Sequence, residues 1–146
     1  MNPLLIGELN PYGTDPKYAL YPAPERSAGY RLAVTILGMR RAVYLRSFDR
    51  MNLCVGKWSV KEARVAAQAV VRGPGRKLVL LGSRVTSAFG LDFRPFTSQT
   101  ILLGHPDGLP MFSIAILPHP SGLCRLWNEP GSYERARSVL QQMKII

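Results

Sequence analysis

The stretch Lys77-Leu78-Val79-Leu80-Leu81-Gly82-Ser83-Arg84-Val85-Thr86-Ser87-Ala88-Phe89-Gly90 decides how this chain folds. Lys77 to Leu81 is a short apolar run and reads as a strand. Gly82 breaks it. Ser83 to Phe89 then reads as a short helix, with Gly90 as its C-terminal stop. A strand handing over to a helix is the repeating unit of an α/β sheet, and the rest of the chain follows it. Upstream, Leu4-Leu5-Ile6 after Pro3 predicts a strand ending at Gly7. A long loop rich in Pro, Gly and Tyr runs from Asn10 to Pro24. A helix is expected from Glu25 to Leu37, closed by Gly38. A short helix is expected within Arg40 to Phe48, and a second strand over Arg50 to Cys54. Ser59 and Glu62 have the spacing of a capping box, which opens a helix reaching Val71. Downstream, Ile101–Leu103 and Met111–Leu117 flank a turn at His105-Pro106-Asp107-Gly108. A last helix is expected from Ser132 to Met143. The alternation predicts a three-layer α/β/α sandwich, with a central, mostly parallel four-stranded sheet, in one domain over residues 1–146.

Composition narrows the partners. The 146 residues are 47% hydrophobic, too apolar for a disordered chain and enough for a real core. No apolar run approaches the roughly 18 residues of a membrane span. The first residues lack a basic segment ahead of an apolar one, so a secretory signal is not expected. Cys54 and Cys124 stand alone, which suits a reducing cytoplasm. Two isolated cysteines cannot by themselves hold a zinc ion or an iron–sulfur cluster. The net charge is +10, which favours polyanions, because each phosphate neutralised releases condensed counterions. A nucleic-acid partner is therefore expected, as against charge that serves only solubility. There is no Gly-rich phosphate loop of the usual pattern; Gly73 to Gly75 is too short.

Ligands of such sheets bind beyond the carboxyl ends of the strands. Three segments leave those ends with unusual chemistry. In Gly7-Glu8-Leu9-Asn10-Pro11-Tyr12-Gly13, a carboxylate and an amide follow the strand within three residues. They can hold a water against an electrophilic carbon, or Asn10 can serve a plain turn by bonding its own backbone. In Asp49-Arg50-Met51-Asn52-Leu53-Cys54, the Asn52 amide offers a donor and an acceptor to a pyrimidine edge, or caps a turn. In His119-Pro120-Ser121-Gly122-Leu123-Cys124-Arg125, His119 sits where the chain leaves the sheet and can point into a cleft, or can be a packed histidine. Ser121 can bind a phosphate oxygen or cap a turn, and Gly122 allows close backbone approach. Leu123 is a candidate wedge into a base stack, or a core residue. Arg125 is a candidate DNA contact.

Together the three segments resemble the uracil-DNA glycosylase superfamily in order and spacing. Asn10-Pro11 resembles the first motif of its mismatch-specific branch, where Asn positions the attacking water. Tyr12 resembles the main uracil-removing branch, where Tyr crowds the pyrimidine C5. Leu117-Pro118 with Pro120-Ser121-Gly122-Leu123 is very like the mismatch-specific wedge loop. His119 looks like the uracil-removing and thermophile-type branches, whose His bonds the base O2. Asn52-Leu53 before a Cys is similar to the thermophile-type strand. Leu80-Leu81-Gly82 and Ala88-Phe89-Gly90 look like that branch's middle section. The likeness runs from Leu4 to about Leu140. Two departures stand out. Glu8 occupies a place where small residues are more common, and the four iron–sulfur cysteines of the thermophile-type branch are absent.

The resemblance implies a monofunctional DNA glycosylase that hydrolyses the N-glycosidic bond of a flipped-out pyrimidine. The base is uracil, a mismatched base or a C5-modified one, including modified viral bases. Such an enzyme needs no cofactor or metal, acts on double- or single-stranded DNA, and is expected to be a cytoplasmic monomer serving repair or defence. The implied catalytic residues are Asn10, Glu8 and His119, and Asn52 fixes the base edge. Tyr12 or Tyr30 stacks on the base, although Tyr30 also fits helix packing. Ser121, Gly122, Leu123 and Arg125 hold the DNA. The loop Thr14 to Pro24, with Lys17, Tyr18 and Tyr21, can shape room for a bulky C5 group. Two other classes remain open. One is a non-catalytic DNA-binding module of the same fold. The other is a hydrolase of free nucleosides or nucleotides, which needs no wedge.

Overall fold

The computed structural model describes residues 1–10, 13–102 and 111–146. The turn expected at His105 to Gly108, and Tyr12 with Pro11, lie outside the described residues. The strands are β1 (Leu4–Gly7), β2 (Asp49–Asn52), β3 (Lys77–Leu81), β4 (Thr97–Leu102) and β5 (Met111–Leu117). They form one sheet in the order β2-β1-β3-β5-β4. The first four in that order run parallel, and β4 lies antiparallel on β5 at the edge.

The sheet therefore has five strands, not four. The expected piece at Ile101 begins earlier, at Thr97, and becomes a strand of its own. Thr97-Ser98-Gln99-Thr100 reads as a polar loop because its residues are not apolar. An edge strand bonds a neighbour on one side only and tolerates polar side chains there. Thr97 pairs with Ile116 and Leu102 with Met111.

Alternation along the strands explains the two helical layers. Leu5, Val79, Leu81, Ala115 and Leu117 point to one face. There they pack on α1, which opens as an α-turn at Ala28–Tyr30 and widens to a π-helix over Arg31–Ile36, and on α2 (Arg41–Ser47) and α5 (Ser132–Gln142). Leu4, Ile6, Leu78, Leu80, Phe112, Ile114 and Ile116 point to the other face, against α3 (Val60–Arg72) and α4 (Ser83–Ala88). Nearly all are fully buried. At about 1.5–3 kcal/mol per buried large aliphatic side chain, the two faces are the main favourable term in the fold.

Helix starts follow local chemistry. The Ser27 hydroxyl accepts the Tyr30 N–H at 3.1 Å, so α1 begins at Ala28, three residues later than expected. The Ser59 hydroxyl accepts the Glu62 N–H at 3.3 Å. The reciprocal half of the expected capping box is replaced, because the Ser59 N–H donates to Cys54 Sγ at 3.4 Å. Strand β2 ends at Asn52, two residues earlier than expected, as Leu53 and Cys54 turn to bond the carbonyls of Gly7 and Glu8. Among the described residues, no helix is long and apolar enough to cross a membrane.

Candidate functional site

The connection leaving β1 runs to β2 on one side, and the connection leaving β3 runs to β4 and β5 on the other, so the direction switches between β1 and β3. A crevice opens at the carboxyl ends beside such a switch point. Here it is a cleft of about 320 Å³, with Glu8, Asn10, Asn52, His119, Ser121 and Gly122 in its walls. Residues far apart in sequence meet there because parallel strands all end on the same side.

Asn52 pairs in register with Gly7 across β1 and β2. A Cβ on Gly7 would stand 2.6 Å from the Asn52 amide oxygen, so glycine leaves the room that this side chain occupies. Glu8 follows directly, half-buried. Its carboxylate lies 3.7 Å from Arg84 Nη1, on the first turn of α4. Gly82, held at φ 99 and bonded to Leu117 O at 2.8 Å, brings β3 under the same corner. A Cβ there would meet His119 Cβ at 3.2 Å and Glu8 Oε1 at 3.7 Å. Gly82 thus lets Glu8 and His119 come together.

His119 leaves the end of β5 half-buried. Its Nδ1 accepts the Ser121 N–H at 3.1 Å, and its carbonyl accepts the Trp127 Nε1–H at 2.8 Å. The neutral ring then carries its proton on Nε2. Burial pushes its pKa below the ordinary value of 6.5; Glu8 pulls it back up, and Arg84 pushes it down. At neutral pH the ring is an uncharged donor.

The loop after His119 is tied on several sides. The Leu123 N–H donates to the Ser121 hydroxyl at 3.1 Å, and Arg31 Nε donates to Pro120 O at 3.0 Å. Trp127, buried, packs edge-on against Phe96 and next to Tyr133. On this frame Leu123 stands 92% exposed, which removes the core reading. Arg125 is exposed at the start of a 3-10 turn, Arg125–Asn128.

The opposite wall comes from the segment after the first motif. Tyr18, Leu20, Tyr21, Arg26 and Ser27 line the cleft. Leu20 sits at φ 50, a left-handed conformation costly for a branched residue. Neighbouring carbonyls are clamped: Tyr44 Oη donates to Leu20 O at 2.8 Å, and Arg50 Nη1 donates to Ala19 O at 2.8 Å. Burial drives the Tyr44 phenol far above its ordinary pKa, so it stays a donor. Any Cβ on Gly29 would overlap the Tyr21 carbonyl, so only glycine lets α1 approach this loop.

The expected set thus divides. Glu8, Asn10, Asn52, His119, Ser121 and Gly122 converge. Leu123 and Arg125 lie on the adjoining loop outside the cleft. Tyr30 does not line it; its ring lies 5.3 Å from the Arg41 guanidinium instead. Gly29 and Ala28 present that helix to the cleft, and the next residue turns away. Tyr21 takes the aromatic place in the wall, and Arg26 and Ser27 were not anticipated. The long aromatic loop was the signal, but its clamps come from Tyr44 and Arg50, which are remote in sequence. Among the described residues, no three His, Cys, Asp or Glu side chains cluster as metal ligands. No protein-family model matches the chain, and no curated protein matches it in sequence.

Proposed function

We propose that this chain is a DNA glycosylase of the uracil-DNA glycosylase type, hydrolysing the bond between deoxyribose C1′ and N1 of an extruded pyrimidine. The observation that carries the reading is the convergence of Glu8, Asn10, Asn52 and His119 in one cleft at the carboxyl ends of parallel strands.

A base inside a duplex is out of reach, so the nucleotide is extruded, at a cost of a few kcal/mol. Asn52 reads the pyrimidine edge, and Tyr21 supplies a ring for stacking. As the C1′–N1 bond breaks, its electron pair leaves with the base, and charge builds on O2. The His119 Nε2–H donates to that oxygen, an interaction stronger in the transition state than in the ground state. Water oxygen bonds to C1′ and gives up a proton. Glu8 is the one carboxylate among the described lining residues, and it takes that proton. Asn10 orients the water, since an amide is not a base at neutral pH. Leu123 fills the vacated stack, and Ser121 and Arg125 hold phosphates. A second hollow of about 410 Å³ opens off Tyr18 and Tyr21, against Ala23 and Pro24.

The test is a panel of labelled single- and double-stranded oligonucleotides, treated with alkali to reveal abasic sites. They carry uracil, thymine opposite guanine, hydroxymethylpyrimidines and their glucosylated forms. Cleavage at one of these bases is expected, and it names the pocket. Silence across the panel with DNA binding intact turns the reading to a binding module.

A further inference from the structure

The base cleft accounts for Glu8, but its ion-pair partner opens onto a separate hollow on the α3–α4 side. Arg84 lies 3.7 Å from the Glu8 carboxylate on one side. On the other, its guanidinium lies 5.7 Å from the Trp58 ring. Trp58 and Arg84 line a cavity of about 330 Å³ between the starts of α3 and α4, together with Val60, Ala63, Arg64 and Ser87. Among the described residues, its walls carry two guanidinium groups and no carboxylate. Arg64 is exposed, the Arg84 side chain is 59% exposed, and Trp58 is half-buried. The volume is at the small end for ligand pockets, room for one nucleotide-sized unit and not for a duplex.

We propose that this hollow takes the nucleotide next to the extruded one on the same, unpaired strand, with its base against Trp58 and Val60 and its phosphate on Arg64 and Arg84. The register, though not the hollow itself, rests on the glycosylase reading above. An aromatic face flanked by cations is the combination that single-strand binders use, because every base has a π-face and every nucleotide a phosphate. Continuity also favours it: Arg84 borders the hollow, and the carboxylate it pairs with borders the base cleft. Occupancy has a consequence for Glu8. A phosphate in the hollow competes for the same guanidinium, so the neighbouring nucleotide frees the carboxylate to face water in the base cleft.

Tryptophan fluorescence of the full chain tests this. Trp127 is buried, so Trp58 is the ring that a nucleotide can reach. Thymidine monophosphate, the dinucleotide and the tetranucleotide of thymidylate are titrated against the wild type, Trp58→Phe and Arg64→Glu. Saturable quenching is expected, with the dinucleotide about tenfold tighter than the mononucleotide. Arg64→Glu, on an exposed helix face, is expected to lose that tenfold with its circular dichroism unchanged, and Trp58→Phe to lose the quenching. The same variants are assayed for cleavage of a single strand carrying the base the wild type excises. If Arg64→Glu binds and cleaves single strands like the wild type, the hollow is rejected while the glycosylase stands. If no base is cleaved but the dinucleotide still quenches Trp58 and Arg64→Glu abolishes it, the hollow stands and the glycosylase fails.

Discussion

The Nδ1 of His119 is occupied by the Ser121 N–H, which leaves Nε2 as the nitrogen that bears the proton in the neutral ring. The same side chain is buried enough to resist charging. Two predictions belong at this scale. His119→Ala should slow cleavage about 10²–10³-fold, the usual loss for one donor aimed at developing charge, while DNA binding persists. Single-turnover rates beside filter binding check this, and an unchanged rate ends the proposed role. The second concerns pH. Burial and Arg84 lower the His119 pKa and Glu8 raises it, so its imidazole signal in an NMR titration should shift midpoint below 6.5. Removing the raising charge in Glu8→Gln should move the midpoint further down. Removing the lowering charge in Arg84→Ala should move it up. The proposed mechanism uses the neutral ring as donor, so activity should survive as pH falls through 6.5 and fail only in stronger acid. A midpoint above 6.5 would contradict the neutral-donor mechanism.

Among the elements, the loop from His119 to Arg125 presents an apolar side chain to solvent on a tied backbone. Trp127, Arg31 and Ser121 each hold part of its backbone, yet Leu123 at its tip stands 92% exposed. Exposing a leucine forfeits about 1.5–3 kcal/mol of burial. A rigid loop that presents one apolar side chain is suited to entering a base stack. Leu123→Ala should therefore slow cleavage of duplex substrates more than of single strands, compared as the ratio of the two kcat/KM values. Equal losses would remove the wedge. The facing element, from Tyr18 to Ser27, is held in a strained left-handed turn at Leu20 by Tyr44 and Arg50. Its shape is set by residues that never touch the cleft.

For the whole molecule, charge is the property that bears on the proposed DNA partner. A net charge of +10 on 146 residues favours polyanions, the class to which the proposed DNA partner belongs. DNA affinity should fall steeply with salt, with the slope of log K against log salt counting the phosphates neutralised. Anisotropy titrations from low to moderate salt measure it, and a flat response would reject the phosphate contacts.

The sequence by itself determined the layering. Short apolar runs at Leu4, Lys77 and Met111, separated by the helices of Ala28–Ile36 and Val60–Arg72, leave little choice but an α/β sheet with both faces covered. Period and punctuation are local properties, and a chain carries them in any conformation. It also marked Glu8, Asn10 and His119, because polar residues just past apolar strands are legible as such, and Asn52, the last residue of β2. Other features belong only to the tertiary structure. The polar strand Thr97–Leu102 exists because β5 offers it an edge, which its own residues do not reveal. Tyr21 rather than Tyr30 faces the cleft because Gly29 lets α1 lie against the Tyr21 carbonyl. Arg84 joins Glu8 to Trp58 only because α4 begins beside the end of β1. Contacts between distant segments depend on how the layers stack, and that information is spread over the whole chain, in no one stretch of it.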